Sequence, residues 1–390
     1  MALQSPLVAA PLALLGCVAV FAACSGSTPE PNPLPKSSAA PPASTLVPAD
    51  SVAPLDSAEP LASASASVAP VASGPTSCPA GMALVDGDYC DEVEHSCLKE
   101  WYAKQNNKYV CEVFEEKSTC KGKKTKKRYC IDKYEWPNIA GERPEIMNRF
   151  HQAQVKCAAA GKRMCGESEW SFACEGPQMK PFPNGYKRDP RVCNGDQEWD
   201  NPNMKLVGKR DAKELGRLWQ GMRSGTQPGC VSDFGVFDMP GNADEVVASE
   251  QNPNGKRGKF DSIHTGGPWY SGVRNQCRPK VYTHGEDFYY YFLSFRCCAE
   301  ADGKPTDPRT ARQIKAGWEM KKVEHSAQFT VADMKEKLSL KAKGQCTCKD
   351  SDILCKTMCG SLLGANAKDT TPDAPRHRYA GKRIKGEMKD

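Results

Sequence analysis

Several motifs that would announce a familiar chemistry are missing from this chain. It has no G-x-x-x-x-G-K-[ST] loop, no G-x-G-x-x-G between a strand and a helix, and no G-x-S-x-G turn. Without them there is no phosphate cradle, no dinucleotide fingerprint and no strained serine nucleophile. No C-x-x-C pair occurs among its 20 cysteines, so zinc ribbons and thioredoxin-like redox sites lose their main signature. The histidines are His95, His151, His264, His284, His325 and His377; they are scattered, and no metal-binding triad can be read from them. Charge of one sign is also scarce. Lys+Arg 53 against Asp+Glu 47 leaves a net charge of +6, which makes no case for nucleic acid as a partner.

A long apolar run is lacking too. Leu7 to Ala23 has the length of a signal-peptide core and is too short and weak for a good spanning helix. It ends in Phe21-Ala22-Ala23-Cys24-Ser25. Small residues before a cysteine resemble the lipobox of bacterial lipoproteins, which implies removal of residues 1–23 and lipidation of Cys24. Residues 24–77 are almost entirely Ser, Pro, Ala, Thr and Val. That composition cannot bury enough apolar surface to offset chain entropy, so the segment is expected to be a disordered tether. Behind a lipidated cysteine it would hold a folded domain away from a bacterial membrane.

Cysteine is what the chain has in plenty. Setting aside Cys17 and Cys24, eighteen cysteines lie from Cys78 onward. An even number in an exported chain reads as a disulfide framework. Residues 78–128 form a Cys-rich first part, 129–300 a core, and 301–390 an extension with a basic tail. Met82 to Asp86 is expected to be a strand and Cys97 to Tyr109 a short helix, with the run Lys121, Lys123, Lys124, Lys126, Lys127 and Arg128 as a closing loop. Such a run is either solvated or a contact for an anionic envelope polymer, and the same holds for Arg376 to Lys385. Tyr129 to Asn138 alternates like a strand. Arg149 to Ala160, capped by Gly161, and Glu167 to Glu175 have helical spacing, whereas Pro181 to Cys230 is loop-dominated. Arg309 to Lys322 and Val331 to Lys341 suggest helices of a small appended unit, closed by Cys346, Cys348, Cys355 and Cys359. Those four could hold a metal, but an oxidising compartment favours two local disulfides.

The chain is organised around Phe234 to Glu245, FGVFDMPGNADE. Gly235 and Gly241 permit tight backbone, and Asp238, Asn242, Asp244 and Glu245 crowd oxygen onto one turn. A hard cation such as calcium takes six to eight oxygens from such groups. A solvated acidic turn would use the same residues.

Beyond that turn, GKRMCGESEWSFACEG (Gly161 to Gly176), PFPNG (Pro181 to Gly185), FGVFDMPGNADEV, GGPW (Gly266 to Trp269) and SFRC (Ser294 to Cys297) resemble, in order, the motifs of the formylglycine-generating enzyme family, also called sulfatase-modifying factor domains. The resemblance covers about Met82 to Glu300. It implies an α+β fold, a loop-rich and disulfide-bonded variant of the C-type-lectin fold. It also implies calcium held by Asp238, Glu245 and the backbone of Gly241 and Ala243, with Asn194 opening a second site. Asp244 and Val246 stand where the family has tryptophans.

Family catalysts oxidise a sulfatase cysteine with oxygen, using a copper-binding cysteine pair after the G-G-S-Y/W turn. Here that stretch reads GGPWYSGVRNQC, with Ser271 near the first expected position and Cys277 alone. The family's pattern implies disulfides Cys174 to Cys277 and Cys157 to Cys297, and a bonded thiol is neither ligand nor nucleophile. The expectation is a non-catalytic, calcium-stabilised binding or structural module of the cell envelope, without copper, taking an envelope protein or a glycan as ligand. The alternative is a formylglycine-type oxidoreductase that activates sulfatases. His284, Glu286 and Asp287 form a further loop that reads either as an exposed turn or as a metal site.

Overall fold

The computed structural model describes residues 78–103, 107–252, 254–270, 272–364 and 367–370. Cys24, its leader, the Ser/Pro/Ala segment and the basic tail lie outside them. In chain order the strands β1 (Met82–Cys90), β2 (Val93–Ala103), β3 (Lys108–Cys120) and β4 (Lys124–Asp132) come first. There follow α1 (Phe150–Ala159), β5 (Arg163–Met164), α2 (Glu167–Glu175), α3 (Met204–Gly208) and α4 (Ala212–Leu218). Five strands come next: β6 (Asp244–Ala248), β7 (Ser262–Thr265), β8 (Lys280–Val281), β9 (Leu293–Ser294) and β10 (Cys297–Glu300). Four helices end the described chain: α5 (Ala311–Lys315), α6 (Met320–Ala327), α7 (Val331–Ala342) and α8 (Ile353–Cys359). The sheets run β1-β4-β10-β5 and β8-β7-β6-β9, with β2-β3 as a separate hairpin.

Two expectations fail in the first part, each for a physical reason. The described residues from Cys97 to Tyr109 are not helical, because β2 pairs antiparallel with β3, Cys97–Cys111 ties the two strands together and Cys90–Cys120 fastens β3 to the end of β1. Tertiary pairing overrides the helical propensity of LKEWYAK. The lysine run is not a loop either; it continues into β4. Asp86 lies opposite Arg128 in the ladder and binds both Arg128 and Lys126, while Lys121 pairs with Glu94. Cross-strand neutralisation lets the basic residues lie in a strand. After Asp132 the chain leaves the sheet, carrying Glu135 and Trp136 into the interior.

Both central helices form where their spacing predicts. Helix α1 is buried on every side from Phe150 to Cys157, so its polar residues need internal partners. Gln154 bonds to Gln313, Gln152 to the Ala327 carbonyl, and the Lys156 ammonium to Glu145 and the Thr357 carbonyl, both at 2.6 Å. The covering elements come from the C-terminal extension. Val323, Ala327, Phe329, Met334, Met358, Leu362 and Leu363 join one apolar cluster with Trp136, Phe150 and Phe295, so the extension completes the core and is not a separate unit. The first predicted helix of that region is split into α5 and α6 at Gly317, whose φ is +69°.

All eighteen cysteines from Cys78 onward are paired: Cys78–Cys130, Cys90–Cys120, Cys97–Cys111, Cys157–Cys297, Cys165–Cys298, Cys174–Cys277, Cys193–Cys230, Cys346–Cys359 and Cys348–Cys355. Nine disulfides in one chain mark an exported protein. No described helix is long and apolar enough to cross a membrane.

Candidate functional site

The turn from Phe234 to Glu245 leads into β6, at the centre of its sheet, and its short polar residues suit left-handed backbone. Asp238 and Asn242 have φ of 63° and 51°, values that Asp and Asn tolerate better than other residues with a side chain. Gly241 has φ of 95°, and a Cβ there would lie 2.5 Å from the Asn194 carbonyl oxygen. That carbonyl accepts the Asn242 N–H at 2.8 Å. Asn194 therefore belongs to this same turn and does not begin a second site. Its Nδ2 donates to the Gln220 carbonyl and to Asn242 Oδ1, and its Oδ1 accepts from Gln197.

Behind the turn lies a buried charge cluster. Arg296, fully buried, grips Glu245 with Nε at 2.8 Å from Oε2 and Nη2 at 2.7 Å from Oε1. The same guanidinium donates to the carbonyls of Asp132, Lys133 and Phe237. Burial works against its charge, but Glu245, Glu135 and Asp238 raise its pKa above the usual value. Glu135 accepts from Asn242 Nδ2 at 2.9 Å and from Ser224 Oγ at 3.0 Å. Asp238 accepts the Gly225 N–H at 2.7 Å and shares a carboxyl-to-carboxyl hydrogen bond with Glu135. Burial, then the Glu135 charge, pushes the Asp238 pKa well above the carboxylate range. Burial raises Glu135 as well, and two carboxyl groups so placed share one proton between them.

The calcium cage expected of Asp238, Gly241, Ala243, Glu245 and Asn194 does not fit this arrangement. Both oxygens of Glu245 face Arg296, one Asp238 oxygen accepts an amide, and Asn194 is bonded within the turn. A cation would have to displace an internal guanidinium that already balances the charge. Among the described residues, the one group of three or more acidic, His or Cys ligand atoms that converges is Cys348, Cys355 and Cys359, and all three are in disulfides. The His284–Asp287 loop is no metal site either. His284 stacks on Phe288 at 3.9 Å and both rings pack against His264, while Glu286 accepts the Asp261 N–H.

On the neighbouring face of β6, Asp244 takes the place of a family tryptophan and is buried. Arg274 Nη2 donates to its Oδ1 at 2.6 Å, and His264 Nδ1 is 3.8 Å from its Oδ2. Burial raises the Asp244 pKa while Arg274 opposes the rise; burial, Arg274 and His284 push His264 well below the usual imidazole value, so it is neutral at pH 7. Trp269, from the GGPW turn, is fully buried and packs edge-on against Trp219 at 5.2 Å. Cys277, the one cysteine in the stretch where a copper pair is expected, is bonded to Cys174. The family's copper site does not fit here: it is built on a pair of free thiolates, and every described cysteine is bonded. The roles of Glu135 and Arg296 escaped the sequence reading. Glu135 lies in the Tyr129–Asn138 stretch and Arg296 in SFRC, but their partners Asn242 and Glu245 are far away in the chain.

Comparison with known proteins adds the following. The family model described as a sulfatase-modifying factor enzyme 1-like domain matches residues 92–301. No curated protein matches. Solved structures similar to the chain include a crystal structure of CarF, at 12% identity over 57% of this chain and 98% of that one, with a TM-score of 0.35. PvdO from Pseudomonas aeruginosa is similar at 15% identity over 56% and 94%, with a TM-score of 0.31. Treponema denticola variable protein 1 is similar at 13% identity over 55% and 99%, with a TM-score of 0.27.

Proposed function

Because the chain belongs to the sulfatase-modifying factor enzyme 1-like family, with its loop-rich, disulfide-bonded α+β fold, we propose that it uses that fold as an exported binding module and not as a copper-dependent oxidase. The observation that carries this reading is the Cys174–Cys277 disulfide. It ties up the one sulfur in the stretch where family catalysts present a metal-binding pair, and no other described cysteine is free to replace it. The buried interior behind the turn argues the same way, since Arg296 balances Glu245, and the one charge left on Glu135 and Asp238 is met by Asn242, Ser224 and the Gly225 N–H.

The module is anchored through lipid on Cys24, with the Ser/Pro/Ala segment as its tether to the bacterial membrane, and it engages an envelope protein. Calcium is not needed for its fold, because the Glu245 charge is balanced by Arg296. The test is metal analysis of the purified chain together with oxygen consumption on a sulfatase-derived cysteine peptide with added copper. The proposal expects no retained copper and no peptide-dependent uptake; stoichiometric copper with turnover would overturn it.

A further inference from the structure

Two loops far apart in the chain are zipped together beside the C-terminal extension. Gly141 N–H donates to the Ser224 carbonyl and Ser224 N–H to the Glu142 carbonyl, both at 2.8 Å, and Arg223 Nη1 reaches the Gly141 carbonyl at 3.0 Å. Arg143 and Arg223 are thereby held side by side. Two adjacent guanidinium groups repel and call for an anion between them. The anion present is Asp369. Arg143 Nε lies 2.6 Å from its Oδ1, Arg223 Nε 2.9 Å from its Oδ2, and Trp219 Nε1 donates to Oδ1 at 3.3 Å. Among the described residues neither arginine pairs with another carboxylate.

The loops recognise more than a carboxylate. Arg143 Nη2 donates to the Ala367 carbonyl at 2.7 Å, and Thr370 gives its N–H to the Gly221 carbonyl and its hydroxyl to the Gln220 carbonyl. Backbone contacts on both sides of the aspartate fit a peptide, not a free small acid. Beside the clamp is a cleft of ≈ 570 Å³, lined by Arg143 and Arg223 and floored by Ile146, Leu362 and Leu363. It has room for a side chain next to the acid. Solvent reaches the clamp, since the side chains of Arg143, Arg223 and Asp369 are 24%, 45% and 22% exposed, which weakens each ion pair.

We propose that Arg143, Arg223 and Trp219 form a carboxylate-recognition site for an acidic peptide segment of a partner protein, occupied in cis by Asp369 and opened when Ala367 to Thr370 leaves it. The proposal rests on the binding-module reading and names its partner class. A tethered copy competes at an effective concentration on the order of millimolar, so the wild-type chain masks its own site.

The test uses the full chain and a fluorescent peptide with the sequence of residues 364–372, read by anisotropy. Asp369→Ala is expected to bind the peptide at least about tenfold more tightly than wild type. Adding Arg223→Gln to that variant, or replacing the peptide's aspartate by asparagine, removes the gain. An Asp369→Ala chain with an unchanged melting curve that binds no better than wild type, or that binds the aspartate and asparagine peptides alike, makes the clamp an internal anchor and overturns the proposal. Oxygen uptake measured on the same samples separates the two failures. Absent binding with no uptake sinks this proposal alone, whereas uptake sinks the binding-module reading beneath it.

Discussion

Replacing Arg296 by methionine removes the charge that the interior is built around. Glu245 then remains 1% exposed with no counter-ion, and breaking a buried pair from one side costs about 3–5 kcal/mol. The Phe237 carbonyl also loses its Arg296 donor, which adds roughly 1–3 kcal/mol if nothing replaces it. The Lys133 carbonyl suffers less, because it still accepts the Phe237 N–H at 2.8 Å. The single variant should therefore lose about 4–8 kcal/mol, a large share of the ~5–15 kcal/mol that holds a typical domain together. Replacing both partners tells a different story. Arg296→Met with Glu245→Met removes both members of the pair and leaves the one charge of Glu135 and Asp238 on its Asn242, Ser224 and Gly225 donors; well-packed apolar replacements of such pairs are often close to neutral. Urea unfolding with the disulfides intact measures both, provided the slope with denaturant is unchanged. An Arg296→Met variant within about 1 kcal/mol of wild type, or a double variant no better than the single one, would refute the reasoning.

Other outcomes follow from the same geometry. Asp238 and Glu135 have raised pKa values in the folded chain, so the native state binds more protons than the unfolded state above their ordinary values of 3.8 and 4.5. Their contribution is full below those values and is lost as pH rises toward the folded ones; Asp238→Asn should flatten the fall, read as urea midpoints from pH 4 to 9. A midpoint that still falls equally in the variant would assign the pH dependence elsewhere. Calcium at a hundredfold excess over its dissociation constant would stabilise a real site by about 2.7 kcal/mol; no shift between calcium and chelator is expected here. Cutting the Cys174–Cys277 link, which closes 103 residues, should cost up to about 4.7 kcal/mol through chain entropy, compared as Cys174→Ala/Cys277→Ala against wild type. Metabolic labelling with palmitate should mark the wild-type chain and leave Cys24→Ala unlabelled.

The parts of the fold that could be read from sequence are those fixed by local spacing. Helices α1, α2 and α7 have periodicity and end signals within a few residues, whereas the Arg309–Lys322 helix was missed at the Gly317 break and at its end, since α6 runs on to Ala327. The β2–β3 hairpin was not legible, because what decides against a helix is a partner strand and two disulfides. The basic run hid its strand for the same reason: Asp86, which neutralises it, lies on β1. At the site, the Phe234–Glu245 turn could be found from its glycines and short acids, but the use of those acids could not. Arg296 reaches Glu245 across 51 residues and the Asp132 carbonyl across 164. No local pattern encodes such a meeting, and without it an acidic turn looks like a cation site.

The central claim is that the family fold serves here without its copper chemistry. It is tested most directly by incubating the purified chain with copper and a sulfatase-derived cysteine peptide, then following oxygen and the copper that survives desalting. The account predicts no peptide-dependent oxygen uptake and no stoichiometric copper, with no free thiol in the native protein from Cys78 onward. Peptide-dependent uptake with one copper retained per chain would contradict it, and would mean that the Cys174–Cys277 bond opens to supply the metal's ligand.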